Sequence, residues 1–79
     1  MRKILKSYEF PVFIEKDGES SFFAVAPTLQ GCYTSGKTFN EAVKNIRDAM
    51  SLYVQDLKAE KRTVPKRKMV SFMSVEVIA

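Results

Sequence analysis

Apolar and polar residues alternate near the start of the chain: Tyr8, Phe10, Val12 and Ile14 take the even positions, with Glu9 and Glu15 on odd ones. Period two in a β-rich stretch predicts a strand from Ile4 to Glu15 with one face inward. Pro11 has no N–H to donate, so a bulge or break is expected there. Lys16-Asp17-Gly18-Glu19-Ser20 follows, and Asp-Gly between apolar runs signals a hairpin. Ser21 to Ala26 is apolar on both faces, the pattern of a strand covered on both sides. Pro27 closes it, Thr28-Leu29-Gln30-Gly31 connects, and Cys32 to Ser35 predicts a short third strand ending at Gly36.

The period then becomes helical. Thr38-Phe39-Asn40-Glu41 fits the capping box, in which a threonine oxygen accepts an N–H three residues on and the glutamate reaches back. Behind it Phe39, Ala42, Val43, Ile46, Ala49, Met50, Tyr53, Val54 and Leu57 form an apolar stripe at spacings of three and four. The helix should fray over Lys58 to Arg62, where cations suit the negative end of its dipole, and stop at Thr63-Val64-Pro65. Met69 to Ile78 alternates again, with Met69, Ser71, Met73, Val75 and Val77 on one side, and predicts a fourth strand.

The fold class is therefore α+β in the order β-β-β-α-β. A three-stranded antiparallel meander is joined by a right-handed crossover to a fourth strand beside and parallel to the first. One helix covers one face of such a sheet. The other is expected to present some of Phe13, Phe22, Phe23 and Val25, and an exposed apolar patch is usually an interface.

Length sharpens that point. The chain has 79 residues, a single domain over 1–79, and a chain of that size hides only roughly 60–65% of its unfolded surface. Domains this small often lean on disulfides, a metal or a partner. The single cysteine and the absence of histidine remove the first two supports and leave no cofactor to expect. Oligomerisation, as a dimer or tetramer, or a tight partner remains. A hydrophobic content of 46% argues against disorder. No apolar run reaches the roughly 20 residues of a membrane helix, and Met1-Arg2-Lys3 precedes no apolar leader, so a soluble cytoplasmic protein is expected.

The net charge of +4 conceals a division. Residues 1–6 are basic, and so are residues 58–68 through Lys58, Lys61, Arg62, Lys66, Arg67 and Lys68; the rest of the chain is net acidic. Those six cations are the candidate nucleic-acid contact. The segment carries no interleaved aromatics on which bases would stack, so it reads first as a solvated linker with weak affinity at most.

Catalytic groups are scarce. Without histidine there is no Ser-His or Cys-His nucleophile, and Cys32 beside Gly31 reads as a small buried residue. The strand carboxylates Glu9, Glu15 and Glu76 are too few for a magnesium nuclease site, of which Glu9 and Glu76 would be the remnant. The glycines stand at turns and open no helix. No enzyme and no metal site is expected.

The string Phe10 to Asp17, then Phe22 to Pro27, then Leu29, Gly31-Cys32, Gly36, Thr38 and Glu41-Ala42, resembles the HicB-like antitoxins over about residues 8–57. The resemblance implies a reduced RNase H-like domain without the acidic cluster of RNase H enzymes. It also implies a partner: a HicA-like toxin, a small basic mRNA-cleaving protein whose active site the antitoxin covers. An acidic body suits that task, and Glu15, Asp17 and Glu19 with Phe22 are the candidate toxin contacts. Many HicB antitoxins carry a C-terminal DNA-binding domain. Ala79 follows directly on the expected fourth strand, so none is expected here.

Overall fold

The Asp-Gly hairpin and its flanking strands form as the alternation requires. In the computed structural model, which describes residues 6–66, 71 and 73–79, β1 spans Phe13–Lys16 and β2 spans Phe22–Val25. They pair antiparallel with Phe13 opposite Val25 and Lys16 opposite Phe22. Asp17 N–H donates to the Ser21 carbonyl at 2.8 Å and closes the turn. β3, Tyr33–Gly36, pairs antiparallel with β2 on its other side, giving a three-stranded sheet in the order β1-β2-β3.

β1 is shorter than the alternation from Ile4 predicts. Residues 6–12 belong to no strand, and Pro11, which cannot donate to a ladder, marks the interruption. Phe10 and Val12 still pack against the core.

The helix α1, Phe39–Ala59, crosses one face of the sheet, chiefly over β3 and β2. Its stripe presses Ala42 and Ile46 onto Ala24, Ala26, Leu29 and Cys32, and these six form the buried centre. Four of the six are alanine or cysteine, so helix and sheet approach closely and Leu29 fills the remaining space. Its side chain is 1% exposed, and its burial is worth about 1.5–3 kcal/mol.

Two details of the helix ends differ from expectation. Thr38 Oγ1 accepts from Glu41 N–H at 3.0 Å as the capping box requires, but the Glu41 carboxylate accepts from Lys37 N–H at 3.1 Å rather than from Thr38. At the other end, α1 does not fray toward Pro65. Lys61 takes the left-handed conformation, with φ +57°. Its N–H donates to the Lys58 carbonyl and the Arg62 N–H to that of Leu57, the paired closure of a Schellman motif.

The described part of the segment expected as a fourth strand joins no strand. Residues 69, 70 and 72 lie outside the described residues; Ser71 and residues 73–79 are exposed. Alternation supplies a strand with a face but not with a ladder partner, and an unpaired strand has little stability of its own.

Candidate functional site

The segment 26–42 carries most of the distinctive residues, and its geometry assigns them to shape. Ala26 N–H donates to the Cys32 carbonyl at 2.9 Å, and two tight turns between them are closed by Leu29 N–H to Ala26 and Cys32 N–H to Leu29, both at 3.0 Å. Gly31 sits in the second turn with φ +77°, where a side chain would be strained. The loop so formed turns Ala26, Leu29 and Cys32 into the core. Burial pushes the Cys32 thiol up from its ordinary range, which makes it a poor nucleophile. Gly36 ends β3 against the first turn of α1, and Asn45 Nδ2 donates to the Ser35 carbonyl at 2.9 Å across the same junction.

Among the described residues, no helix or strand covers the sheet face away from α1. By register it holds Phe13 and Glu15 from β1, Phe23 and Val25 from β2, and Tyr33 from β3. Phe13 is 41% and Tyr33 63% exposed, and the Phe23 and Tyr33 rings lie 5.8 Å apart. Phe22, expected among the candidates for this face, points the other way: it packs against the core and meets Phe39 edge-on at 6.3 Å. The four residues proposed as a contact therefore divide. Glu15, Asp17 and Glu19 are exposed on or beside the hairpin, with Glu15 opposite Phe23, while Phe22 lies on the helix side. Tyr33 is the aromatic that periodicity passed over, because its strand is too short to show alternation.

A second feature gathers the two basic regions. The segment 6–10 runs beside the C-terminal part of α1, and a cleft of about 550 Å³ between them is lined by Lys6, Tyr8, Phe10, Lys58, Arg62 and Lys66, among others. An adjoining cleft of about 420 Å³ shares Lys6, Tyr8, Phe10 and Lys58 and adds Arg47. Tyr8 and Phe10 stack at 6.5 Å with their planes 6° apart, and Lys58 Nζ stands 5.8 Å over the Tyr8 ring. The reading that aromatics are missing around the basic run is thus corrected: they come from the other end of the chain. Lys6, Tyr8 and Phe10 share one parity, and Arg47, Ser51, Val54 and Lys58 recur at helical spacing, so each half of the cleft is visible in sequence, but not their meeting. Lys61 is exposed at the helix terminus and does not line this cleft; Arg67 and Lys68 lie outside the described residues.

Residues 10–76 match the family model described as the HicB_like antitoxin of bacterial toxin-antitoxin systems. The chain belongs to the HicB-like antitoxin family. A UPF0150 protein of Synechocystis is 40% identical to it over 63 residues, covering 80% of each chain. UPF0150 proteins of Helicobacter pylori and Thermoplasma acidophilum are 39% and 36% identical, over 81% and 73% of this chain and 88% and 84% of theirs. No solved structure matches the chain.

Membership of the HicB-like family supports an antitoxin-type role, and with it a toxin as the kind of partner. It also gives the segment 26–42 its meaning. Of the residues that carry the HicB-like resemblance, Leu29, Gly31, Cys32, Gly36, Thr38 and Ala42 turn the loop, fill the core and start the helix. Among the described residues no helix is long and apolar enough to cross a membrane.

Proposed function

We propose that this HicB-like protein acts by binding rather than by catalysis, and that its partner is a small, basic, HicA-like mRNA-cleaving toxin whose active site it covers in the cytoplasm. The observation that carries this reading is the exposed acidic hairpin, Glu15, Asp17 and Glu19, at the margin of the open aromatic face. An apolar centre with a charged rim is the usual build of a protein interface, and the sign of the rim suits a partner that binds RNA. The reduced RNase H-like fold that the resemblance implies calls for a fourth strand, for which residues 69–78 supply the alternating sequence. Co-expression with the neighbouring open reading frame, followed by native mass spectrometry, tests the reading. A stable complex with a small basic protein is expected, together with loss of that protein's mRNA cleavage. A neighbour that is not captured, or that cleaves mRNA unimpeded in the complex, overturns it.

One observation favours a second reading. The cleft around Tyr8 and Phe10 combines stacked rings with Lys6, Arg47, Lys58, Arg62 and Lys66, the pairing of aromatic platforms with cations that single-stranded nucleic acids use. On that reading the isolated protein binds single-stranded RNA with an affinity that falls linearly in log-log form with salt. On the antitoxin reading it has little affinity for bare RNA at physiological salt.

A further inference from the structure

The two clefts beside α1 meet across a pair of rings. Lys6, Tyr8, Phe10 and Lys58 line both, and every lining residue of either lies among the described ones. The chemistry differs on the two sides of that shared wall. The larger cleft, about 550 Å³, adds Arg62 and Lys66 and is the cationic side. The smaller, about 420 Å³, adds the apolar Met50 and Val54 and the polar Ser51 and Gln55, with Arg47 as its further cation. Volumes of this order hold small organic ligands.

Each part suits one piece of the same kind of molecule. Tyr8 and Phe10 hold their rings nearly parallel, with planes 6° apart and centroids 6.5 Å apart, and a planar heterocycle stacks on such faces. Gln55 Nε2 donates to Ser51 Oγ at 3.4 Å, near the outer limit of a hydrogen bond and easily exchanged for the polar edge of a base. Lys58 Nζ stands 5.8 Å over the Tyr8 ring, so a positive charge sits where the ring side passes into the cationic side. Against the cations stand Glu9, which lines the larger cleft, and Glu60, whose Oε2 pairs with Arg62 Nη1 at 3.3 Å. With Lys6, Arg47, Lys58 and Lys66 the balance stays positive, which suits a phosphate.

We propose that the joined clefts bind a nucleoside phosphate, its base against the Tyr8 and Phe10 rings and its phosphate on Lys58, Arg62 and Lys66. Rings alone would accept any flat apolar ligand and cations alone any anion; their junction at Lys58 selects a molecule that carries both. A free nucleotide and one residue of single-stranded RNA share that chemistry. The proposal deepens the nucleic-acid reading of this cleft and rests on it only for the second of those sources. The toxin contacts proposed at the hairpin share no residue with it.

The experiment is an NMR titration of the isotope-labelled full chain at low salt with adenosine 5′-monophosphate, adenosine, inorganic phosphate and hexa-adenylate RNA. Saturable shifts at Tyr8, Phe10, Lys58 and Arg62 are expected with a nucleotide probe, together with contacts from its base protons to the two rings. Adenosine and inorganic phosphate, each holding half of the ligand, should bind at least roughly fivefold more weakly. Tyr8 lies outside the buried core. Tyr8→Ala is expected to weaken binding by roughly fivefold or more, the weight of one stacked base, and Tyr8→Phe to keep it. Lys58→Gln/Lys66→Gln should weaken binding and flatten its dependence on salt. Circular dichroism checks that each variant keeps its fold. Ring-dependent binding of hexa-adenylate alone assigns the site to RNA, whereas such binding of the monophosphate alone upholds the site and removes the RNA reading. Inorganic phosphate bound as tightly as the monophosphate, binding indifferent to Tyr8→Ala, or no shift with either nucleotide probe would overturn the proposal.

Discussion

A methyl group added to Gly36 would lie 2.5 Å from the backbone nitrogen of Ala42 and 2.9 Å from the carbonyl carbon of Glu41. Both are atoms of the first turn of α1, fixed by the Thr38 cap, so neither can swing aside as a side-chain tip would. Gly36→Ala must therefore push the helix off the end of β3. It is expected to destabilise the fold by about 2–3 kcal/mol, read as a lower urea midpoint with an unchanged slope. Lys37→Ala, one residue on and exposed, should leave the midpoint within about 0.5 kcal/mol of the native value.

Lys61 makes the opposite case. It holds the left-handed conformation that closes α1, which glycine adopts at no steric cost. Lys61→Gly keeps both backbone bonds of the closure and is expected to stabilise the protein by about 0.5–1 kcal/mol. For a domain of this size that is a rise of a few degrees in Tm, and an unchanged or lower Tm would contradict it.

On the antitoxin reading proposed above, the hairpin carboxylates bear on the partner rather than on the fold. Glu15→Lys/Glu19→Lys replaces exposed groups and spares the Asp17-Gly18 turn, and should leave the urea midpoint nearly unchanged. Association with a basic toxin is expected to slow by roughly tenfold at low salt, since rim charges act mainly on the rate of encounter. The difference should shrink as added salt shortens the screening length. Stopped-flow kinetics at two ionic strengths would show it.

Cys32 ties part of the fold's stability to its proton. Burial raises its thiol above the ordinary value of 9.0, so the folded chain still holds that proton where the unfolded chain has released it. The stability that depends on it is fully present below pH 9 and is lost as the pH climbs through the folded value. Urea midpoints at pH 7 and pH 10 should separate further for the native chain than for Cys32→Ala.

Legibility in the sequence followed the range of the interactions. The hairpin, β2, β3 and α1 depend on residues within a few positions of one another, such as Asp17-Gly18 or Thr38 and Glu41, and all were readable. Where α1 ends was not, because a lysine in place of glycine gives no sign of a left-handed residue. The side of the sheet that Phe22 takes was not either: Ser21 to Ala26 is apolar on both faces, and only the register against β1 and β3 fixes its parity. The basic cleft joins residue 6 to residue 66, and the meeting of its two halves leaves no local trace. The segment expected as a fourth strand illustrates the same rule, since alternation describes a segment and says nothing about which strand edge it would meet.

The loop and junction from Ala26 to Ala42 have a consequence for how such proteins diversify. Leu29, Gly31, Cys32, Gly36, Thr38 and Ala42 are occupied with turning, filling and starting, and none of them is on the hairpin or the open sheet face. On the proposed toxin-binding reading, architecture and partner choice are written in separate letters of the same short text. On that reading Glu15, Glu19, Phe23 and Tyr33 can be rewritten while those six residues stay as they are, so one scaffold would hold many addresses.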